Sequence, residues 1–173
     1  MTDTAAEAVQ AELMRLAEIA AGILDGEEVK AIVTPKALHH IACPDPEYPY
    51  LDGDYFDADH ALFLRTKKML LRIARLSDRA VGGSAWVPVP GAEQVTVAVH
   101  NGVHHRYYRF GQGGLDTPAE MKQVFRTGQV VAAPPDPAGR VATALAPIRD
   151  SLGDVVAIAE FTAPLAAARP AWS

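Results

Sequence analysis

Apolar residues recur at helical spacing through the first half of the chain and at strand alternation beyond Gly83. From Thr4 to Leu24, Ala, Glu, Leu, Met and Arg dominate and no Gly or Pro intervenes before Gly22, which predicts a long helix. Its residues Ala6, Val9, Leu13, Leu16, Ala20 and Ile23 are spaced as in a coiled-coil seam, while Ile19 and Leu24 widen the stripe toward a globular core. Such a helix can pack on the chain's own sheet or pair with a second copy, and different faces can serve both. Asp25 and Glu28 stand at capping-box spacing before the short apolar face of Val29, Ile32 and Val33. Thr34-Pro35 repeats the N-cap grammar for a short helix over Pro35–Ile41. Pro44, Pro46 and Pro49 break regular structure between Ala42 and Asp59, where Tyr48, Tyr50, Tyr55 and Phe56 would anchor an ordered loop. Asp57 or Asp59 then caps a helix over Ala58–Leu76, with Leu62, Met69, Ile73 and Leu76 on one face and Gly82-Gly83 as its stop.

The sheet follows. Ser84–Val89 predicts a short strand, with Pro88 implying an edge or an irregular end. In Gln94–His100, Val95, Val97 and Val99 alternate against Thr96, Ala98 and His100. Asn101-Gly102 is a hairpin signal that would return Val103–Phe110 as a strand. Thr117-Pro118 opens a helix to Thr127 with Gly128 as its C-cap, and Pro134–Gly139 is a turn. Arg140–Pro147 and Val155–Thr162 form a closing hairpin around Asp150, Ser151, Gly153 and Asp154. The expected class is α+β: an antiparallel sheet of about five strands backed by the N-terminal helix. Residues 1–24 are that helix, a possible dimerisation element; 25–165 are one domain and 166–173 a tail.

Composition narrows the function classes. The 173 residues suit one domain, and 49% hydrophobic content supplies a core. A formal charge of −5 argues against general nucleic-acid binding. The basic run Arg65, Lys67, Lys68, Arg72, Arg75 and Arg79 falls at helical spacing, as a solvated face or a contact surface. Cys43 is the single cysteine, which excludes an internal disulfide and a thiolate zinc site and fits a buried or incidental thiol. No run of 18 apolar residues occurs, so direct membrane insertion is not expected, and the acidic amphipathic N-terminus is not a secretion signal.

The densest set of functional side chains is His100, His104, His105, Tyr107, Tyr108 and Arg109. Imidazoles, phenols and a guanidinium can hold an anion or an amphipathic ligand by directed hydrogen bonds. On a strand, His105 and Tyr107 would face one side and His104, Arg106 and Tyr108 the other, so only one set can line a pocket; a polar outer face is the competing reading. Trp86 is either core or an aromatic wall for an organic ligand. The candidate ligand-binding residues are therefore Trp86, His100, His105, Tyr107 and Arg109. Adjacent histidine pairs do not share a face, the aspartates of 52–59 lack calcium-loop register, and no nucleophile elbow, Walker loop or dinucleotide fingerprint occurs. No metal, cofactor or catalytic residue is assigned, and the chain is not read as an enzyme.

Several stretches together resemble the Cache-type sensors, PAS-like domains of bacterial receptors. Ala20, Ala21, Ile23, Leu24, Asp25, Gly26 and Glu27 match the family's helix running into an "A…iDgd" segment. Phe63, Leu70 and Ile73 loosely match its second helix, and SAWVPV and VTVAVH its first strands. Ala146 to Ile158, APIRDSLGDVVAI, matches its "API-D-GxVVG" ending. The amino-acid-binding Tyr, Arg, Trp and Asp set of some members has no convincing match, and His100 stands where an acidic residue is frequent. The resemblance implies a small-molecule-sensing module of a bacterial signal-transduction system, homodimeric through the N-terminal helix and coupled to a downstream signalling partner. The alternative is a ligand-free PAS/GAF-like dimerisation or partner-docking module, and a small enzyme is a third reading. Location is expected to be cytoplasmic if Met1 is native, and extracytoplasmic, as part of a membrane receptor, if the domain was excised from a longer chain.

Overall fold

Helix α1 (Asp3–Ile23) turns its apolar stripe onto the chain's own sheet. In the computed structural model, which describes residues 3–47, 58–103, 114–136 and 138–165, Val9, Leu13, Leu16, Ala17 and Ala20 are buried. Ile23, at the end of the seam, is 51% exposed. The residues that would have zipped a coiled coil are thus mostly used inside one chain. Gln10 Nε2 adds a directed contact, donating to the Thr143 carbonyl at 2.9 Å.

The following helices begin where capping chemistry places them. Asp25 Oδ1 accepts from the N–H groups of Glu27 and Glu28 at the start of α2 (Gly26–Ile32). Thr34 Oγ1 accepts from Ala37 N–H above Pro35 in α3 (Pro35–Ala42). Of the two candidate aspartates, Asp59 caps α4 (His60–Ala74) through Ala61 and Leu62 N–H. Much of the Ala42–Asp59 loop, at residues 48–57, lies outside the described residues. Helix α4 ends well before the expected glycines, which open strand β1 (Gly82–Pro88) instead. At Gly83 the Phe161 ring occupies the space where a side chain would stand: an added Cβ would lie 3.1 Å from its Cε1.

The sheet has six strands among the described residues: β1, β2 (Gln94–His100), β3 (Leu115–Asp116), β4 (Val131–Ala133), β5 (Val141–Arg149) and β6 (Val155–Pro164). Their spatial order is β3-β2-β1-β6-β5-β4, antiparallel throughout. The closing hairpin β5–β6 is central, and Gly153 takes φ +89° in its turn. Pro88 ends β1 beyond the last β6 partner, Trp86↔Ile158, so its missing N–H costs that ladder nothing. Residues 104–113, most of the expected Val103–Phe110 strand, lie outside the described residues; Leu115 and Asp116 pair with β2 at Val95 and Gln94. The helix expected to start with a Thr117 cap is α5 (Ala119–Thr127), with Pro118 itself at the N-cap position. The Thr117 hydroxyl donates to the Glu93 carbonyl, and Gly128 closes α5 at φ +62°.

Helices α1, α2 and α4 cover one face of the sheet, over Ala85, Val87, Val99, Ala144, Ala146, Ala157, Ala159 and Phe161. Helix α5 covers part of the other face, over Trp86, Val95, Leu145 and Ile158. A bulge in β2 corrects the alternation expected from sequence. Ala85 pairs with Val99 and Trp86 with Val97, which leaves Ala98 as the extra residue. Val95 and Val97 therefore pack on the α5 side, whereas Val99 joins Ala98 on the α1 side.

The hairpin turn is tied to its surroundings. Gly26 lies against the backbone of Arg149 and Asp150, where any Cβ would overlap the Arg149 carbonyl. Lys30 Nζ sits 2.6 Å from Glu27 and 3.5 Å from Asp150, and Ser151 Oγ donates to Glu27 at 3.1 Å. Arg149 donates to the carbonyls of Gly153 and Gly128, at 2.7 and 3.1 Å. Hydrogen bonds from Lys30 and then Ser151 hold the Glu27 carboxyl below its ordinary range. Burial pushes the Asp150 carboxyl up, but the N–H groups of Asp154 and Leu152, with Lys30, outweigh it and leave the group lowered.

Two predictions follow from this packing. Gly26→Ala lowers the unfolding free energy by about 1–3 kcal/mol, because backbone must move, whereas Gly22→Ala, with open space around its Cβ, raises it by roughly 0.5–1 kcal/mol. Urea denaturation of both variants checks the contrast. For pH, the unfolded chain binds more protons than the folded one between the lowered native values of Glu27 and Asp150 and their ordinary values near about 4. The contribution is thus complete above that range and lost as pH falls through the native values. Asp150→Asn should flatten this part of a melting-temperature profile, measured by circular dichroism.

Candidate functional site

The face carrying α5 changes character along its strands. Under α5 it is apolar, with Trp86, Val95, Leu145 and Ile158 packed against Met121 and Val124. One pleat further along, the register lines up Leu145, Glu160, Ser84 and His100 across β5, β6, β1 and β2. The next pleat on this face brings Thr143 opposite Thr162. Ser84, Thr143, Glu160 and Thr162 are all buried, with Glu160 only 1% exposed. A buried carboxyl group inside a sheet is costly unless it is hydrogen-bonded. Trp86 Nε1 supplies one such bond, donating to Glu160 Oε2 at 2.9 Å. Its direct cross-strand partner is Ile158, so Glu160 is the diagonal neighbour, within reach of a long aromatic side chain.

His100 is half-buried at the β2 end of this row, and its Nδ1 accepts from the N–H of Gly102 at 3.0 Å. In a neutral imidazole that bond places the ring proton on Nε2. The bend after His100 is built by its neighbours. Asn101 is buried; its N–H donates to the Gly83 carbonyl, its Nδ2 to the Val81 carbonyl, and its Oδ1 accepts from Val103 N–H. Gly102 takes φ +93°. Asn101, at the expected hairpin tip, is thus tied to β1 and its lead-in by two hydrogen bonds, and the third holds the turn at Val103.

Of the five residues expected to bind a ligand, Trp86 and His100 lie on this one face, with Ser84 as the cross-strand partner of His100. His105, Tyr107 and Arg109 lie outside the described residues. Trp86 is itself buried, as much a core residue as a wall. Sequence reasoning missed Glu160 and its companions Ser84, Thr143 and Thr162. A signal was present: Glu160 is the single charged residue in VVAIAEFTAP, and its parity with Ile158 assigns its face. The row offers carboxyl, hydroxyl, indole and imidazole groups at fixed spacing, a set suited to orienting a polar organic molecule. Ser84 stands between Glu160 and His100 in register. The carboxyl group thus neighbours a hydroxyl in the row, the reverse of the order in which a carboxylate orients a histidine base.

Two concavities are lined by described residues elsewhere on the chain. One, of about 500 Å³, lies among Pro35, Leu38, His39, Ala42, Cys43, Pro90 and Gly91. Cys43 is exposed there, not buried as its residue type favours. The other, of about 390 Å³, lies along α4. Among the described residues no helix is long and apolar enough to cross a membrane. No protein-family model matches the chain, and no curated protein matches it.

Replacing Trp86 with Phe removes the indole donor and leaves a buried acceptor short of a bond. The expected loss is about 1–3 kcal/mol beyond that of the ring volume. In a Glu160→Met background the same change should cost less, since no carboxyl group is left behind. A double-mutant cycle by chemical denaturation measures the coupling.

Proposed function

We propose that this chain is a small-molecule-sensing module of a bacterial signal-transduction system, of the PAS-like class that includes Cache domains. The carrying observation is the row of buried Glu160 and Ser84 and half-buried His100 beside Trp86, on the sheet face opposite α1. Polar groups are expensive to bury in a core that only needs to be stable, and are characteristic of sites that orient a ligand. The resemblance gains physical sense from the fold. Its opening segment, Ala20 to Glu27, and its closing one, Ala146 to Ile158, touch through Gly26, Glu27, Asp150 and Ser151, with Lys30 bridging Glu27 and Asp150.

A transmission route follows from the same contacts. Thr143 turns its side chain toward the polar face while its carbonyl accepts from Gln10 of α1. A ligand that prefers one placement of β5 and β6 would move α1 with them, and only such a preference shifts the equilibrium. Dimerisation through α1 would then use the outward residues Ala8, Ala11, Arg15 and Glu18, because the seam is occupied.

Thermal-shift screening against a broad metabolite panel tests the reading. A true ligand raises the melting temperature progressively with concentration, adding about 2.7 kcal/mol at a hundred times its Kd. The shift should disappear in Glu160→Gln and shrink in His100→Ala. A panel with no stabilising compound, or one whose hits act equally on both variants, would count against ligand sensing and favour a ligand-free docking module.

A further inference from the structure

Helix α4 carries a surface that the ligand site does not explain. Leu64, Lys68 and Arg72 succeed one another four residues apart along its exposed side, a run of about 12 Å. With Arg65 and Met69 they line the concavity of about 390 Å³. The basic residues of this region are not equivalent. Arg65 meets Glu28, and Arg79 lies 3.3 Å from Glu12. Lys68 and Arg72 have no carboxylate partner among the described residues. Leu64 is 47% exposed beside them, and Leu76, just past the helix, is 56% exposed. A merely solvated face gains nothing from exposed leucines flanking unpaired cations.

We infer that this stripe docks an acidic, amphipathic helical segment of a partner protein, seating one apolar side chain at Leu64 and Met69 and placing carboxylates on Lys68 and Arg72. Charge complementarity selects the occupant. Local cations in a chain of net charge −5 attract a compact acidic group while the rest of the surface repels an extended polyanion, which disfavours nucleic acid. A membrane surface needs a broad apolar face to enter the headgroup region, and this patch offers few exposed apolar side chains. A docked amphipathic helix presents anchors along one face at i, i+3, i+4 and i+7, and Leu64, Lys68 and Arg72, at i, i+4 and i+8, form a row of matching length. The inference stands independently of the ligand site.

The test uses the full chain and a fluorescein-labelled synthetic helix-forming peptide with Glu pairs four residues apart beside Leu. Controls are a scrambled peptide of the same composition, vesicles rich in anionic phosphatidylglycerol, and duplex DNA. Fluorescence polarisation should show saturable binding of the patterned peptide, weakened at high salt. The Lys68→Glu/Arg72→Glu double reversal should weaken binding about tenfold or more at unchanged melting temperature, Leu64→Ser several-fold, and Arg126→Glu on α5 not at all. Milder Lys68→Gln and Arg72→Gln variants, each weakening binding, serve if the double reversal unfolds. Absence of saturable binding, equal binding of the scrambled peptide, or stripe-dependent binding of vesicles or DNA alone would overturn the inference.

Discussion

The constraint that organises this molecule is the burial of Glu160 in the middle of its sheet. A carboxyl group at 1% exposure on a central strand must find donors nearby. Trp86 provides one from the neighbouring strand, and that bond requires the register in which Trp86 pairs with Ile158. The same register stands Ser84 between Glu160 and His100. A slip by one residue would drive Glu160 into the alanine-rich face beneath α1, where Phe161 and Ala159 now pack. The polar row and the apolar face therefore specify one another.

Small residues let the helical layer approach that apolar face. Ala144, Ala146, Ala157, Ala159 and Ala163 line it, and α1 fills the space with Val9, Leu13 and Leu16. Close approach also allows Gln10 to reach the backbone of Thr143. At the far end of β5 and β6, the hairpin turn is held by Lys30, Glu27 and the side chain of Arg149. The central hairpin is thus bonded to α1 near Thr143 and to α2 near Asp150, while its other face carries the polar row. In the proposed function, that arrangement would let an event at one face reach the helices on the other.

The elements were legible wherever local chemistry is decisive. Asp25, Thr34 and Asp59 cap helices, Gly128 and Gly153 take positive φ, and the closing hairpin forms across Asp150–Asp154. What sequence could not supply was non-local. The bulge at Ala98 moves Val99 to the opposite face, against a clean alternation. Gly82 and Gly83 look like helix stops but serve a strand, and at Gly83 the Phe161 ring of a distant strand fills the side-chain space. The site was legible in half. Trp86 and His100 stood out by residue type, but Glu160 gains its meaning from a diagonal partner 74 positions away.

The most direct test of the account reads the indole proton of Trp86 by ¹⁵N-correlated NMR, assigned against the signal of Trp172 with a Trp86→Phe variant. During titration with a compound that stabilises the protein, the Trp86 Nε1–H resonance should move saturably, with a midpoint matching the thermal-shift affinity. Movement should be lost in Glu160→Gln. A compound that binds tightly while this resonance stays still would place recognition elsewhere and contradict a site built on Trp86 and Glu160.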